Sequence, residues 1–250
     1  MADEVLTETR GRVLLITLNR PDARNAIDSA LGQGLVAACE QLDADSELRV
    51  GVVTGAGRGF SSGLDLKAFL KEGMPRGFGT FLRGACAKPL IAAIEGFAVA
   101  GGLELALGCD LIVAGRGAKL GIREVKVGLF AAGGALLRLP RHLPYGLAME
   151  MALTGEPILA EQAHQHGLVS RLAEPDEAVA RALELAESIA ENAPLALAAS
   201  KLVLRESQGR SEDEFWEYQK PLIEKIFASK DAREGPLAFA QKRAPNWSGE

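Results

Sequence analysis

Two glutamates twenty positions apart are the side chains of this sequence best suited to proton transfer. Glu104 lies in AGGLELAL, and the residues three and four positions away from it are alanine, leucine or glycine, so its predicted helix has no polar face. Burying an ionised carboxylate without a partner is costly, and buried carboxylates concentrate at functional sites. An exposed position on an amphipathic helix is the alternative. The sequence favours a functional role for Glu104.

Glu124 follows a short predicted strand in GIREVKVGL and has charged neighbours on both sides. Arg123 and Lys126 could pair with it at the surface, so its surroundings in the sequence support a structural and a functional role equally. Two glutamates facing one cleft could perform acid–base chemistry on a water molecule. One would accept a proton from the water, and the other would orient it or protonate a substrate.

Glycines near both glutamates could expose backbone donors. Gly101 and Gly102 open a helix directly after a predicted strand, where N–H groups have no partner within the helix and lie at its positive end. Gly63 allows the turn in SSGLD to expose the N–H of Leu64. Two such donors could stabilise an oxygen that gains negative charge. Tight turns and close helix packing are the alternative role of these glycines.

The stretch GFSSG matches the G-x-S-x-G pattern of a serine hydrolase, in which Ser61 would act with a later acid and a histidine such as His142. In that fold the strand runs straight into the nucleophile turn, whereas here GAGRG separates the predicted strand from Ser61. The hypothesis of a nucleotide-dependent oxidoreductase has less support than that of a serine hydrolase, because the glycines do not form G-x-G-x-x-G at the opening of a βαβ unit.

The chain has 250 residues, 48% of them hydrophobic and 24% charged, with a formal net charge of −5. This composition is typical of a globular protein, and its negative charge gives no general attraction to nucleic acid or to an anionic membrane. We therefore expect neither as a partner. The N-terminal residues lack the apolar run of a signal peptide, and no stretch is long enough to span a bilayer, which predicts a cytoplasmic protein.

Cysteine and histidine give no indication of a metal site. Cys39, Cys86 and Cys109 lie within apolar patterns without metal-ligand spacing, so we expect reduced residues in the core. Of the three histidines, His164 and His166 fall at a predicted helix end and are expected to be exposed. We predict that no metal is bound.

The pattern of apolar residues predicts a mixed α/β core. Strands are expected at 12–20 and 49–57, and a helix with one inward face between them. Residues 88–115 then read as strand, glycine break, short helix and strand. This alternation indicates helices packed against a sheet.

From residue 175 the chain is rich in Ala, Leu, Glu and Lys, with almost no strand signal. Helices are expected at 175–192, 194–208, 211–229 and 231–243. Such a tail is too small to form a strong core alone, so it should pack on its own core or on another subunit.

Four segments together resemble the crotonase superfamily, specifically its enoyl-CoA hydratases. They are NRPDARNA (19–26), GFSSGLDL (59–66), KPLIAAIEGFAVAGGLELALGCDLIVA (88–114) and GIREVKVGL (121–129). Two later segments, 154–172 and 227–243, look like further landmarks of that family. The resemblance spans nearly the whole chain and keeps the order and spacing of the segments.

The resemblance implies a crotonase-like α/β fold, in which repeated ββα units form a spiral core and a helical trimerisation region follows. We assign residues 1–192 to the core and 193–250 to the oligomerisation region. Trimers of this family often pair into hexamers, so a homotrimer or homohexamer is expected.

The resemblance also implies the roles of individual residues. Glu104 and Glu124 would be the catalytic acid–base pair, and the N–H groups of Leu64 and Gly101 would form the oxyanion hole. Ser61 and Ser62 would line a pocket instead of attacking a substrate. The positions that match substrate or CoA contacts, some of them expected to reach a neighbouring subunit, are Arg24, Ala26, Ser62, Asp65, Leu66, Gly102, Phe239 and Lys242.

Several positions depart from the family pattern. Leu64 stands where many hydratases have Ala, and Leu103 stands where Cys is frequent. Arg123 replaces a common Pro before the second glutamate, and the loop 128–134 is one residue shorter than usual and lacks its Pro. Because that loop borders the acyl end of the site, the preference for acyl chain length is the property least transferable from the family.

The function expected from the resemblance is reversible hydration of a trans-2-enoyl-CoA to a 3-hydroxyacyl-CoA. The partner is then an acyl-CoA thioester, and no cofactor is needed beyond the CoA carried by the substrate. An enoyl-CoA isomerase or acyl-CoA dehydratase that needs a single base is the alternative within the family. A protein that binds acyl-CoA without catalysis is the alternative outside the enzymes.

Overall fold

The computed structural model describes residues 3–250 as an α/β core followed by helices. The strands are β1 (Val5–Arg10), β2 (Val13–Leu18), β3 (Val50–Gly55), β4 (Leu90–Ile94), β5 (Phe97–Val99), β6 (Leu111–Gly115), β7 (Lys119–Gly121), β8 (Ile158–Leu159) and β9 (Arg171–Ala173). The helices are α1 (Ser29–Ala44), α2 (Leu66–Glu72), α3 (Phe78–Leu82), α4 (Gly101–Gly108), α5 (Ala135–His142), α6 (Tyr145–Thr154), α7 (Ala160–Gln165), α8 (Ala178–Ala190), α9 (Pro194–Glu206), α10 (Glu212–Phe227) and α11 (Asp231–Ala240).

The main sheet has six strands in the order β1-β2-β3-β4-β6-β9. β1 and β2 form an antiparallel hairpin, and every later pair is parallel. Parallel strands are usually covered on both faces, which explains why the strand sequences are continuously apolar instead of alternating. The strands expected at 12–20 and 49–57 are confirmed as β2 and β3.

Each face of the sheet contributes to a separate hydrophobic core. In β2, Leu14, Ile16 and Leu18 point into one cluster, and Val13 and Leu15 point into the other, as the two-residue period of a strand requires. Burying one such side chain stabilises the fold by about 1.5–3 kcal/mol. Helices α1, α3 and α4 contribute to the first cluster, and α8 covers the second.

Helix α1 begins at Ser29 because Asp28 caps it. The Asp28 carboxylate accepts a hydrogen bond of 3.0 Å from the Leu31 N–H, which has no partner within the helix. The expected inward face is confirmed, since four side chains along it are fully buried: Leu31, Leu35, Cys39 and Leu42.

A second, three-stranded sheet of order β5-β7-β8 carries the segments of interest. β5 and β7 are parallel, with Val99 beside Gly121, so the residues that follow each strand emerge at the same edge. The Ala100 N–H donates to the Gly121 carbonyl at 2.8 Å and extends this pairing by one residue. The start of α4 and the segment that carries Glu124 are thereby held close together.

The C-terminal helices agree with their predicted positions to within a few residues. α8 packs on the main sheet, whereas α9 and α10 contain no fully buried residue and pack against each other. The fold class is confirmed, and the division at residues 192 and 193 stays a prediction. Within residues 3–250, none of the helices has both the length and the apolar character needed to cross a membrane.

Candidate active site

Glu104 lies in α4, where all eight residues are buried. Only 4% of Glu104 is exposed, and its Oε1 accepts a hydrogen bond of 3.2 Å from the Ala135 N–H at the start of α5. The backbone of Gly133 lies against the same carboxylate, because a Cβ at that glycine would be 2.4 Å from Oε2 of Glu104. The alternative of an exposed glutamate on an amphipathic helix is therefore wrong.

The surroundings of Glu104 hold its proton more tightly than water would. Burial raises the pKa of Glu104 from 4.5 to about 7, while the Ala135 N–H acts in the opposite direction. The negative charge of Glu124 also raises this pKa, so the two carboxylates are close enough to interact. A group with a pKa near neutrality can both accept and release a proton at physiological pH.

Glu124 is the first residue of a 3₁₀ turn, Glu124–Val127. Burial raises the pKa of Glu124, and its own N–H and that of Arg123 partly offset this effect. Its Oε2 is buried without a hydrogen-bond partner among the described residues. Lys126 pairs with Glu156, and Arg123 forms no ion pair within residues 3–250, so the alternative in which these two cations neutralise Glu124 is wrong.

Two backbone N–H groups next to the glutamates lack an acceptor. Within the described chain, neither the Leu64 N–H nor the Gly101 N–H donates a hydrogen bond. Gly63 has a φ of 95°, and a Cβ there would be 2.9 Å from the Gly101 nitrogen. A Cβ at Gly101 would in turn be 3.4 Å from the Leu64 nitrogen. The two glycines therefore permit the close approach that brings both donors to one place.

A pair of loops fixes the segment that carries Leu64. The Ser62 N–H donates to the Arg24 carbonyl at 3.0 Å, and the Ile27 N–H donates to the Gly63 carbonyl at 2.8 Å. Asn25 holds the first loop in place, because its fully buried side chain bonds to the backbone of Arg20, Ala56 and Gly59. Sequence reasoning missed Asn25, although Asn tolerates the left-handed conformation that it adopts, with a φ of 52°.

Ser61 has a structural role in this loop pair. It is fully buried, and its hydroxyl donates to the Asn25 carbonyl at 2.7 Å and accepts from the Gly63 N–H at 3.2 Å. Both the nucleophile hypothesis and the expectation that Ser61 lines a pocket are wrong. Its backbone pairs with Ala98 of β5, which turns the side chain inward.

A cavity of about 450 Å³, hereafter the basic cavity, brings several predicted residues together. Leu64, Gly101 and Glu124 line it, as do three of the predicted CoA contacts: Arg24, Ser62 and Leu66. Three cations also line it, namely Lys119, Arg123 and Lys126, and their role in this cavity was missed. The concentration of basic residues around Glu124 in an acidic chain was the available signal.

A second cavity of about 380 Å³, hereafter the apolar cavity, shares Glu124 with the first. The described residues that line it besides Glu124 have apolar side chains, except for the hydroxyl of Tyr145. The 3₁₀ turn that begins at Glu124 separates the two cavities, so its side chain lies at their common boundary.

The other five predicted contacts line neither cavity, and Glu104 does not line them either. The Asp65 carboxylate caps α2 and pairs with Arg20 at 3.1 Å, and these hydrogen bonds lower the pKa of Asp65. Gly102 packs against the Ser61 carbonyl, and Ala26 is buried. Phe239 and Lys242 lie exposed in and just after α11, and their contacts with CoA stay predictions.

The cysteines and histidines of the described residues lie outside the two cavities. Cys39 and Cys86 are buried free thiols and Cys109 is partly buried, in line with their expected place in the core. In residues 3–250, no three His, Cys, Asp or Glu side chains are grouped so that they could hold a metal ion. The surface position expected of His164 and His166 is observed.

Comparison with known proteins identifies the family of this chain. Residues 8–250 match the sequence model of the enoyl-CoA hydratase/isomerase family. The chain is 42% identical to an enoyl-CoA hydratase of Mycobacterium tuberculosis, covering 98% of this chain and 96% of the relative. It is 38% identical to a carnitinyl-CoA dehydratase of Salmonella arizonae over the whole of both chains.

A solved structure agrees with these relatives. The crystal structure of an enoyl-CoA hydratase from Mycobacterium tuberculosis H37Rv superimposes with a TM-score of 0.94 at 50% sequence identity, covering 99% of this chain and all of the other. Identity of this level over the full length fixes both the fold and the family. The chain therefore belongs to the crotonase superfamily, among the hydratases and dehydratases that act on CoA thioesters.

Proposed function

We propose that this enzyme catalyses the reversible hydration of trans-2-enoyl-CoA to 3-hydroxyacyl-CoA. One observation carries the proposal: a basic and an apolar cavity meet at Glu124, and two unpaired backbone donors lie in the wall beside it. An acyl-CoA thioester has the matching order of parts, with an anionic nucleotide end, a polar thioester and an apolar chain.

The basic cavity suits the CoA end of such a substrate. Among the described residues, Arg24, Lys119 and Arg123 form no ion pair with a protein carboxylate, so their charges are available to a ligand. The phosphates of CoA carry several negative charges, and cations at the mouth of a cleft raise the rate at which an anionic ligand enters.

The thioester carbonyl fits between the N–H groups of Leu64 and Gly101. When the hydroxyl of water adds to the β carbon, negative charge develops on the thioester oxygen, and both donors stabilise it. Each donor of this kind typically lowers the barrier by about 2.7–4 kcal/mol. Because the donors are backbone groups held by paired loops, they need no rearrangement during the reaction.

The two glutamates complete the proton transfers. In the proposed step, Glu104 accepts a proton from water, the hydroxyl adds to the β carbon, and protonated Glu124 gives its proton to the α carbon. The sum is the addition of one water molecule, and the glutamates exchange their protonation states. Because the carboxylates interact, their titration belongs to the pair and not to either residue alone. The step uses no metal or redox cofactor.

The test is the rate of crotonyl-CoA hydration by folded Glu104→Gln and Glu124→Gln variants. Each should lower kcat by about 10²–10⁴-fold, the usual contribution of a general acid or base. Glu187→Gln, at an exposed position of α8, is the matched control and should leave the rate unchanged. Near-wild-type rates in both site variants would exclude the paired mechanism.

A large loss at only one glutamate would instead favour the second candidate, an isomerase or dehydratase with a single base. The chain is 38% identical to a carnitinyl-CoA dehydratase, which supports dehydration as an alternative reaction. Turnover of any enoyl-CoA would exclude an acyl-CoA binder without catalysis.

We also propose that the protein assembles as a homotrimer or a homohexamer through its C-terminal helices. No apolar residue of α9 or α10 is fully buried within the chain, and the two helices expose large apolar residues, among them Leu204, Trp216 and Phe227. Such a surface is typical of a subunit interface. Light scattering coupled to size-exclusion chromatography should give a mass three or six times that of the chain, and a monomer would contradict the proposal.

A further inference from the structure

Apolar side chains form almost the whole wall of the apolar cavity, and the exceptions are the hydroxyl of Tyr145 and the carboxylate of Glu124. Its floor is formed by small or aliphatic buried residues such as Ala131, Leu139 and Ala148, and its outer wall by Phe130 and Leu153. Apart from Glu124 at one end, no charged side chain of the described residues lines it. Apart from the hydroxyl of Tyr145, a ligand group bound there exchanges water for contacts with apolar side chains.

The position of this cavity identifies the part of the substrate that it receives. Glu124 lies at the end shared with the basic cavity, where Leu64 and Gly101 offer their N–H groups to the thioester. If the nucleotide occupies the basic cavity, the group on the other side of the thioester is the acyl chain. The apolar cavity is then continuous with the reacting carbons.

Its size leaves room for more than a short chain. The cavity has a volume of about 380 Å³, many times the volume of about 30 Å³ that one water molecule occupies in the liquid. The single methyl group at the end of a crotonyl chain fills a small part of it. The outer wall is open, since 67% of Phe130 and 72% of Leu153 are exposed. A longer tail can therefore leave the cavity without a steric clash.

We propose, on the basis of the proposed function, that the physiological acyl group is an uncharged aliphatic chain longer than the four carbons of crotonyl. Each methylene buried in an apolar cavity improves binding by up to about fourfold. A chain that ends in a carboxylate or a quaternary ammonium would have to lose its hydration without gaining an ion pair. The enzyme therefore selects against acyl groups whose charged end lies inside the cavity, whereas the end of a longer chain can reach water through the open outer wall.

The first experiment compares initial hydration rates of four 2-enoyl-CoA thioesters by the wild-type enzyme. Crotonyl-, hexenoyl- and octenoyl-CoA report chain length, and the fourth has the hexenoyl chain with a carboxylate in place of the terminal methyl. We expect kcat/KM to rise from crotonyl to octenoyl and to be at least about 100-fold lower for the carboxylate than for hexenoyl. Equal rates for the last two would overturn the inference while leaving the proposed function intact.

Binding of saturated thioesters tests the same inference without any chemistry. Octanoyl-CoA should bind at least about tenfold more tightly than acetyl-CoA by titration calorimetry, with a negative heat-capacity change that marks apolar burial. If octanoyl-CoA binds tightly but no enoyl-CoA is hydrated, the acyl class stands and the proposed reaction fails. Equal affinities for the two thioesters would overturn the acyl assignment.

A substitution in the wall of the apolar cavity tests whether the acyl chain binds there. Ala152 is half-buried in α6 and lines the apolar cavity, so Ala152→Phe should fill it and lower the octenoyl-to-crotonyl ratio of kcat/KM by at least about tenfold. Glu150→Phe adds the same side chain at an exposed position of the same helix and should leave that ratio unchanged. An unchanged ratio in a folded Ala152→Phe variant would place the acyl chain elsewhere.

Discussion

The basic and apolar cavities are similar in volume, about 450 and 380 Å³, and opposite in chemistry. Cations and two free backbone donors line one, and hydrocarbon lines the other. Neither cavity alone indicates a reaction, because basic clefts bind many anions and apolar clefts bind many ligands. The chemistry becomes specific only at their boundary, where Glu124 lines both cavities and its negative charge raises the pKa of Glu104.

A single short segment supplies much of both walls. Arg123, Lys126 and Leu129 line the basic cavity, whereas Ile122 and Val125 line the apolar one. Within the 3₁₀ turn Glu124–Val127, Val125 lines the apolar cavity, whereas Lys126 and Val127 line the basic one. The boundary between the cavities therefore runs along this turn.

The largest expected effect comes from a substitution that displaces the two backbone donors beside the shared Glu124. Gly63→Ala places a methyl group 2.8 Å from the Ala100 side chain and 2.9 Å from the Gly101 nitrogen, which must displace the donor pair. We expect kcat to fall by about 10²–10³-fold for short and long acyl chains alike. Gly11→Ala is the matched control, since Gly11 also has a positive φ but nothing lies within 4 Å of its added Cβ. Loss of activity in both variants would mean that strain alone is responsible.

A second prediction uses the contrast between the buried and the boundary glutamate. Burial raises the pKa of Glu104 from 4.5 to about 7, so its contribution to stability is present below pH 4.5 and is lost as pH rises through 7. Glu104→Gln should therefore raise the free energy of unfolding at pH 8 by up to about 3 kcal/mol, with little gain at pH 4. Urea titrations at the two pH values measure this difference. A gain in the free energy of unfolding that does not depend on pH would show that the fold does not raise the pKa of Glu104.

The third prediction concerns the basic cavity alone. In a double variant, Lys119→Gln with Arg123→Gln, KM for every CoA thioester should rise by about tenfold at low salt and by less at high salt. The octenoyl-to-crotonyl ratio should not change, in contrast to the Ala152→Phe variant. Lys225→Gln, on the exposed surface of α10, is the control. A change in acyl preference would mean that the two cavities do not bind separate parts of the substrate.

The smallest effect is a shift of the pH profile. If Glu104 must be ionised to accept a proton from water, kcat/KM for hydration should fall below about pH 7. The positive charge of Arg138 lowers the pKa of Glu104, so Arg138→Met should move this limb of the profile to higher pH. Arg138→Lys keeps the charge and should move it less. A limb that stays in place in the Met variant would assign the titration to another group.

The sequence predicted those features that depend on local pattern. The strands, the inward face of α1 and the C-terminal helices follow from the periodicity of apolar residues, and Glu104 was identified because its helix has no polar face. Its burial follows directly from that pattern. The fold as a whole was predicted through the family resemblance and is confirmed by the solved relative.

The remaining features depend on contacts between distant segments. Ser61 is turned inward by pairing with Ala98 and Asn25, which its G-x-S-x-G surroundings cannot indicate. Pairing of Lys126 with Glu124 was one of two alternatives left open by the sequence, but the loop that follows α6 brings Glu156 to Lys126 instead. Asp65 matched a substrate contact by position, yet it caps a helix and pairs with Arg20. In each case a partner remote in sequence decides the role.

Five non-glycine residues in the described chain have a positive φ, and three of them, Arg24, Asn25 and Ala100, lie in or beside the walls of the basic cavity. Such backbone conformations cost about 1–3 kcal/mol each. A library selected only for thermal tolerance should therefore find improvements here, beginning with Ala100→Gly, whose φ is 52°. Those same changes would loosen the chain that aims the Gly101 N–H, so gains in heat resistance at this spot should be accompanied by slower turnover.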